Sequence, residues 1–415
     1  MEVQKVLEEV LRRVKPSDGE RERIRVAVNE VTSRLKGLEA EIHGSFAKDT
    51  WLSGDTDVDL FVFFPKALGK EYLSKEGLRE ILGRLEGMET RLAYAEHPYV
   101  IVRVDGIEID VVPALRVESG DQAITAVDRT PFHTEYVREK LSDEGRDQVR
   151  LLKRFLKGIG VYGAEIKVLG FSGYVSELLV IGYGSFLEVL RSASDWKPPV
   201  KLVLEREGKE FESPLIIPDP VDPRRNAAAA VSLKSLATLS LASRYFLDRP
   251  SLDFFYPPPP GEQEVVGEVL VTQIKIEEPF VEDVLWGQLR KSVERIRTSL
   301  ASSGFNVIDV GWCQDNDLKI LVQLETSSVG DHYLGQGPPF YLRQSMGFLS
   351  SNERVWIGED GRLYTIRRRK ETDPNRIVAH SLSLKYKYSI TQYQLKEAKD
   401  DCVRAFLRKR PLWLK

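Results

Sequence analysis

Residues 54–63 read Gly-Asp-Thr-Asp-Val-Asp-Leu-Phe-Val-Phe, and few folds accept such a stretch. The apolar residues from Val58 onward make a strand that has to be covered on at least one face. Side chains alternate along a strand, so Asp57 and Asp59 project the same way. Two carboxylates held that close repel each other unless a cation lies between them. The pair therefore predicts a site for one Mg²⁺, or for two ions roughly 3.5 to 4 Å apart, at the start of a buried strand.

Two further stretches fit that chemistry. In Val104-Asp105-Gly106-Ile107-Glu108-Ile109-Asp110-Val111-Val112-Pro113 a turn again leads into an apolar strand. Glu108 and Asp110 share a face, and periodicity does not separate them. Asp110 is the expected third acid because it lies deeper among Ile and Val, where an acid is costly unless ligated or paired. Upstream, Gly44-Ser45 follows Ile42 and precedes FAKDTWL, a strand end turning into a helix. Glycine lets backbone approach a phosphate, the Ser45 hydroxyl adds a hydrogen bond, and free N–H groups of a first helical turn favour negative charge.

At 415 residues the chain exceeds what one core supports, so several domains are expected. Two helices occupy the first 40 residues, with Leu7, Val10, Leu11 and Val14 on one stripe and Ile24, Val28, Val31 and Leu35 on another. Strands at Leu60–Phe64, Val100–Val104 and Ile107–Val112, with a helix at Glu76–Leu85, follow. Helical periodicity returns at Glu135–Leu156, Ser176–Arg191 and Ser232–Leu247. The run Tyr256-Pro257-Pro258-Pro259-Pro260-Gly261 sustains neither helix nor sheet and marks a junction. Beyond it, a β-α-β-β order (Val269–Ile276, Val281–Ser299, Val307–Trp312, Leu318–Leu324) resembles half of a ferredoxin-like fold. The expected domains are residues 1–135, 136–256 and 257–415.

Hydrophobic residues make up 42% and charged ones 30%, which excludes a disordered chain. The net charge of −3 conceals a division: residues 361–415 hold 15 Lys and Arg against 5 Asp and Glu. This basic end suits a polyanion. Cys313 and Cys402 lack CxxC spacing, so neither a disulfide framework nor a zinc site is expected, and a reducing, cytoplasmic setting fits. The N-terminal stretch lacks the apolar core of a signal peptide, and no run approaches a membrane span.

Gly-Ser, eleven intervening residues, the paired-aspartate strand and the later acidic strand together are similar to the nucleotidyltransferase superfamily that includes DNA polymerase β. More specifically, GSFAKDTWL, YAEHPYV, DVVPA, AVDRTPFH, VRLLKRFLKGIGVYGAEIKVLGFSGYVSELL and DPVDPRRNAAAAVSL resemble the archaeal, class I type of CCA-adding tRNA nucleotidyltransferase. The resemblance covers about residues 1 to 300 and loosens after Ser327. It implies an α+β multidomain chain: a polymerase β-like nucleotidyltransferase head, a helical central nucleotide-binding domain, and a ferredoxin- or RRM-like α+β body with a C-terminal tail region.

Carried over by position, the resemblance implies that Asp57, Asp59 and Asp110 ligate Mg²⁺ and that Gly44, Ser45 and Lys48 hold the triphosphate. His133, Lys153 and Tyr162 would contact phosphates or sugar, and Arg225 with Asn226 would face the base, Arg224 being the other candidate. Tyr94 and His97 are further candidates. Lys48 stands where the family usually has arginine, keeping charge but losing the bidentate fork. The implied partners are the tRNA 3′ end, CTP and ATP, and a second copy in a homodimer. Interleaved Tyr364, Tyr386, Tyr388 and Tyr393 could stack on unpaired bases beside the basic residues. Two other readings stand at this point: a poly(A) polymerase or oligoadenylate synthetase-like enzyme, and a non-catalytic RNA-binding protein on a transferase scaffold.

Overall fold

The computed structural model describes residues 3–55, 57–94 and 97–414. The chain divides into two compact units, one of Met1–Pro258 with Pro411–Lys415 and the other of Pro259–Arg410. The change of unit falls inside the proline run.

In the first unit, α1 (Val3–Val14) and α2 (Asp18–Arg34) precede β1 (Glu39–His43), α3 (Gly44–Lys48) and β2 (Asp57–Pro65). Helix α2 opens with the capping box that Ser17-x-x-Glu20 dictates. Glu20 also accepts from the Ser53 hydroxyl at 2.8 Å and the Gly54 N–H at 3.1 Å. One capping residue thus fixes the turn that feeds β2.

Helices α4 (Gly69–Tyr72) and α5 (Leu78–Arg84) lead to β3 (Glu89–Tyr94), β4 (Pro98–Val104) and β5 (Ile107–Arg116). The five strands lie in the order β1-β2-β5-β4-β3. Strands β2 and β5 run parallel and the other neighbours antiparallel. Strands β2 and β5 outrun their apolar cores because the ladder continues to Pro65 opposite Arg116. Val58, Leu60, Val62 and Phe64 bury one face against Ile24, Val28 and Val31 of α2. The alternation that seals this core leaves Asp57 and Asp59 on the other face.

The rest of this unit is mainly helical: α6 (Thr130–Lys140), α7 (Asp143–Gly158), α8 (Gly173–Tyr183), α9 (Phe186–Ser194) and, after the short strands β6 (Val200–Lys201), β7 (Leu215–Ile216), β8 (Pro218–Asp219) and β9 (Asp222–Asn226), α10 (Leu233–Asp248). The single helix expected over Ser176–Arg191 is two helices broken at Gly184-Ser185, where the Ser185 hydroxyl caps α9. Phe155 packs against Phe186, Phe246, Phe254 and Phe255 at the centre of the helical core. Trp413, from the chain end, stacks on Phe254 with ring centroids 5.2 Å apart. Among the described residues, no single helix is long and apolar enough to cross a membrane.

The second unit opens with β10 (Glu268–Ile276), α11 (Glu282–Ser302), β11 (Val307–Gln314) and β12 (Leu318–Leu324), the expected β-α-β-β order. Strand β13 (His332–Pro339), α12 (Gln344–Ser351), β14 (Val355–Ile357) and β15 (Arg362–Arg368) then build a separate three-stranded sheet. Helix α13 (Pro374–Ser381) and β16 (Tyr388–Gln394) return to the first sheet, where β16 pairs antiparallel with β10. The order β11-β12-β10-β16 completes a ferredoxin-like β-α-β-β-α-β fold, with the small sheet inserted before its last helix. Helix α14 (Asp401–Arg408) follows.

Contrary to the expectation from spacing, Cys313 and Cys402 form a disulfide. Strand β11 ends where α14 begins, which brings their Cα atoms to 5.5 Å across 89 residues of sequence. Local spacing carries no record of that meeting.

Candidate active site

Three aspartates meet across β2 and β5. Asp59 lies directly opposite Asp110 in the parallel ladder, and Asp57 lies opposite Glu108. The two candidates for the third acid differ in charge environment. Glu108 is bonded to Arg103 at 2.7 Å and Arg91 at 3.1 Å, and these guanidiniums hold its carboxyl low. Burial, then repulsion from Asp59 and Asp57, pushes Asp110 up to about 7. Asp59 is raised by burial and by Asp57, and Asp57 by burial, Asp55 and Glu108. Each of the three is disfavoured in the charged form, the signature of a carboxylate set that a cation would complete. Among the described residues, no group of three or more His, Cys, Asp or Glu side chains is already arranged to hold a metal ion. An open set of carboxylate oxygens suits a hard divalent ion that takes its remaining ligands from water and substrate phosphate.

The Gly44-Ser45 turn joins this group directly. Gly44 has φ +65°, and a Cβ placed on it would lie 1.8 Å from Asp59 Oδ2. Asp59 therefore rests against the bare Cα of the turn, and any side chain would evict it. The loop from α3 to β2 is stapled by α7, which presents Arg150, Lys153 and Lys157 on one face. Arg150 donates to the carbonyls of Trp51 and Asp49, Lys153 to that of Thr50, and Lys157 to the Asp55 carboxylate at 2.9 Å.

Lys48 and Lys153 are both buried, at 6% and 2% exposure, and both turn to Glu177 of α8. Lys48 Nζ lies 2.6 Å from Glu177 Oε2, and Lys153 Nζ lies 3.5 Å from Oε1. The Thr50 hydroxyl donates to Glu177 Oε1 at 2.5 Å and accepts from Lys153 at 3.0 Å. A Cβ on Gly173 would fall 3.1 Å from the Tyr162 hydroxyl and 3.6 Å from Lys153 Nζ, so these two groups flank the start of α8.

His133 stacks on Tyr174, ring centroids 4.0 Å apart, and bonds Asp219 at 2.9 Å. Tyr174 donates to the other oxygen of Asp219 at 3.1 Å. Burial works against Asp219, yet the bonds from His133, Val221 and Tyr174 hold its carboxyl low. Lys48 Nζ lies 5.5 Å from the Tyr174 ring centre, so the lysine and histidine groups adjoin.

Other expected residues stand differently. The Asn226 amide is spent on backbone, accepting from Ile217 and Ala228 N–H and donating to the Leu215 carbonyl. It is a buried clamp on the turn. Arg224 is held by Asp222 at 2.7 Å and the Asp121 carbonyl at 2.5 Å, and it lines a cavity of about 580 Å³ with Tyr136 and Lys140. Both arginines are exposed, and Arg225 does not line that cavity. His97 is buried, its Nε2 2.6 Å from the Pro113 carbonyl, while Tyr94 is exposed. In the second unit, Tyr364 stacks on Trp356 and bonds Asp360, Tyr386 accepts from the Val281 N–H, and Tyr388 donates to the Leu382 carbonyl. Tyr393 alone of the four is both exposed and on a paired strand.

Reading by sequence missed Glu177, Tyr174, Asp219 and Thr50. Glu177 left a signal, since an acid inside the largely apolar stretch Val175–Ile181 is as costly as Asp110 in its strand.

Comparison with known proteins supplies the family. A nucleotidyltransferase domain matches residues 24–133, the second domain of tRNA nucleotidyltransferases matches 147–256, and the C-terminal domain of CCA-adding enzymes matches 267–392. The CCA-adding enzyme of Sulfurisphaera tokodaii is 56% identical over 410 residues, 98% of this chain and 99% of that one. The chain belongs to the CCA-adding enzymes. The CCA-adding enzymes of Saccharolobus solfataricus and Sulfolobus acidocaldarius are 52% and 50% identical over 98% and 99% of this chain, and over 99% of each relative. A solved cytoplasmic RNA terminal U-transferase is similar at TM-score 0.47 and 18% identity, over 60% of this chain and 95% of that one. Membership of the CCA-adding enzymes makes the chain a nucleotidyltransferase with CCA addition to tRNA as its reaction, and the poly(A) and non-catalytic readings fall away.

Proposed function

We propose that this CCA-adding enzyme builds the 3′ CCA of tRNA at one site, with Asp57, Asp59 and Asp110 as its catalytic acids and Mg²⁺ ligands. The observation that carries this reading is the register of Asp59 on Asp110 with Glu108 withdrawn onto Arg91 and Arg103. Mg²⁺ bound there would polarise the α-phosphate of CTP or ATP and neutralise the departing pyrophosphate. The acids' own task is to hold negative charge where the tRNA 3′-hydroxyl gives up its proton and attacks in line. Gly44 and Ser45 bring backbone and hydroxyl to the phosphates. Lys48 and Lys153 supply positive charge there, Tyr162 and His133 supply further hydrogen bonds, and Tyr174 and Asp219 hold the His133 ring in place. This is catalysis by positioning and electrostatics.

For the base, the anchored Arg224 is the better reader, since its guanidinium is already ordered, and Asn226 shapes the turn beneath it. The basic segment of the second unit would track tRNA backbone. A homodimer, the state the family resemblance implies, would cover exposed apolar side chains such as Phe340, Tyr341, Met346 and Ile357, and a cytoplasmic location completes the reading.

The test is incubation of tRNA lacking its last three nucleotides with labelled CTP and ATP. Addition of two cytidines and one adenosine, lost without divalent ion and restored by Mg²⁺, is the expected result. Absence of cytidine incorporation would refute the assignment.

A further inference from the structure

The triphosphate assignment calls for cations, and it does not explain why a carboxylate is buried between them. Glu177 has a side chain 1% exposed, in a helical stretch where an apolar residue would pack without penalty. A carboxylate there must be repaid by partners. Its two oxygens are divided between two stretches far apart in sequence: Lys48 at the end of α3 with Thr50 just beyond it, and Lys153 from α7. Two ammoniums share one counter-ion, and the group keeps one positive charge. Without Glu177, two buried cations would repel across a dry pocket, and one would shed its proton or turn away.

We propose that Glu177 is a positioning residue for nucleotide addition: as shared counter-ion of Lys48 and Lys153, it keeps both ammoniums charged and aligned until the phosphates of a nucleoside triphosphate take them over. The proposal rests on the assignment of Lys48 and Lys153 to the triphosphate.

The groups facing Lys153 are Glu177 from α8, Lys48 from α3, the Thr50 carbonyl and hydroxyl and the Asp55 carboxylate from the loop before β2, and the Tyr162 hydroxyl across Gly173. Burial pulls Lys153 down to about 8, Glu177 opposes that pull, and Lys48 adds to it. The charged form exists below that value and is lost above it. The wild-type dependence on CTP should therefore weaken as pH rises through about 8. Removing the Glu177 charge should move this limb down, whereas removing the Lys48 charge should move it up. A purely structural role for Glu177 gives no such pair of opposite shifts.

The experiment measures kcat, KM for CTP and KM for tRNA between pH about 6 and about 9.5. It uses the full-length enzyme and its Glu177→Gln, Glu177→Asp, Lys48→Met and Lys153→Met variants. Glu177→Gln should raise KM for CTP about tenfold at pH about 8, leave KM for tRNA unchanged, and recover at lower pH, with Glu177→Asp intermediate. If Lys153→Met raises KM for CTP while Glu177→Gln leaves both KM and the pH limb in place, the proposal is overturned. If Lys153→Met leaves KM for CTP unchanged, the triphosphate assignment itself fails and the proposal with it. Should Glu177→Gln not fold, Lys48→Met decides: an upward shift of the limb supports the shared counter-ion, and an unmoved limb overturns it.

Discussion

Replacing Gly44 by alanine separates backbone strain from damage to the acid site. At φ +65° an alanine pays roughly 1–2 kcal/mol for the left-handed conformation. In a unit of this size that lowers Tm by about 2–8 °C. The added carbon would also lie 1.8 Å from Asp59 Oδ2, so the carboxylate has to retreat by more than about 1 Å to reach ordinary contact distance. Misplacing a reacting group by that much costs on the order of 100-fold in rate. Gly87→Ala is the control, because Gly87 has φ +87° and nothing within 4 Å of its added carbon. Both variants should melt lower by similar amounts, and only Gly44→Ala should lose cytidine incorporation, with a raised Mg²⁺ requirement. Equal rates for the two variants across a Mg²⁺ titration would refute the contact between turn and acid.

Asn226→Ala removes three bonds to backbone and should destabilise the first unit by about 1–3 kcal/mol, read by denaturant unfolding. Arg224→Ala and Arg225→Ala should both fold, and only the former should change the ratio of kcat/KM for CTP to that for ATP. Cys313→Ser opens a link spanning 89 residues and should cost the second unit up to about 4 kcal/mol, with no change in the rate of nucleotide addition at temperatures where the unit stays folded.

How much of this was legible in the sequence follows from what kind of information each feature needs. Asp57 and Asp59 declared their shared face because strand alternation is local, and the ends of β12 were as expected because Leu318–Leu324 is mostly apolar. Asp110 was preferred to Glu108 for its depth among Ile and Val, whereas the pairing of Glu108 with Arg91 and Arg103, which stand on β3 and β4 and reach it only across the sheet, left no local trace. An amide such as Asn226 can serve a base or the backbone, and its three backbone partners are not written in local sequence. Strand β16 carries alternating polar residues with no apolar run, so its place beside β10 was hidden, as was the pairing of Cys313 with Cys402. Glu177 lay in plain view, an acid among Val and Leu, and its meaning depended on lysines 129 and 24 residues away.

The measurement that bears most directly on the central claim is single-turnover cytidine addition by Asp59→Ala, run beside its thermal melt. Burial, then repulsion among them, raises the wild-type carboxylates above their ordinary range, so at neutral pH their charges oppose folding, and removing one relieves that cost. The expected result is a loss of at least about 1000-fold in rate with a metal-free Tm equal to or above wild type. Undiminished addition by Asp59→Ala would contradict the assignment of the acid site.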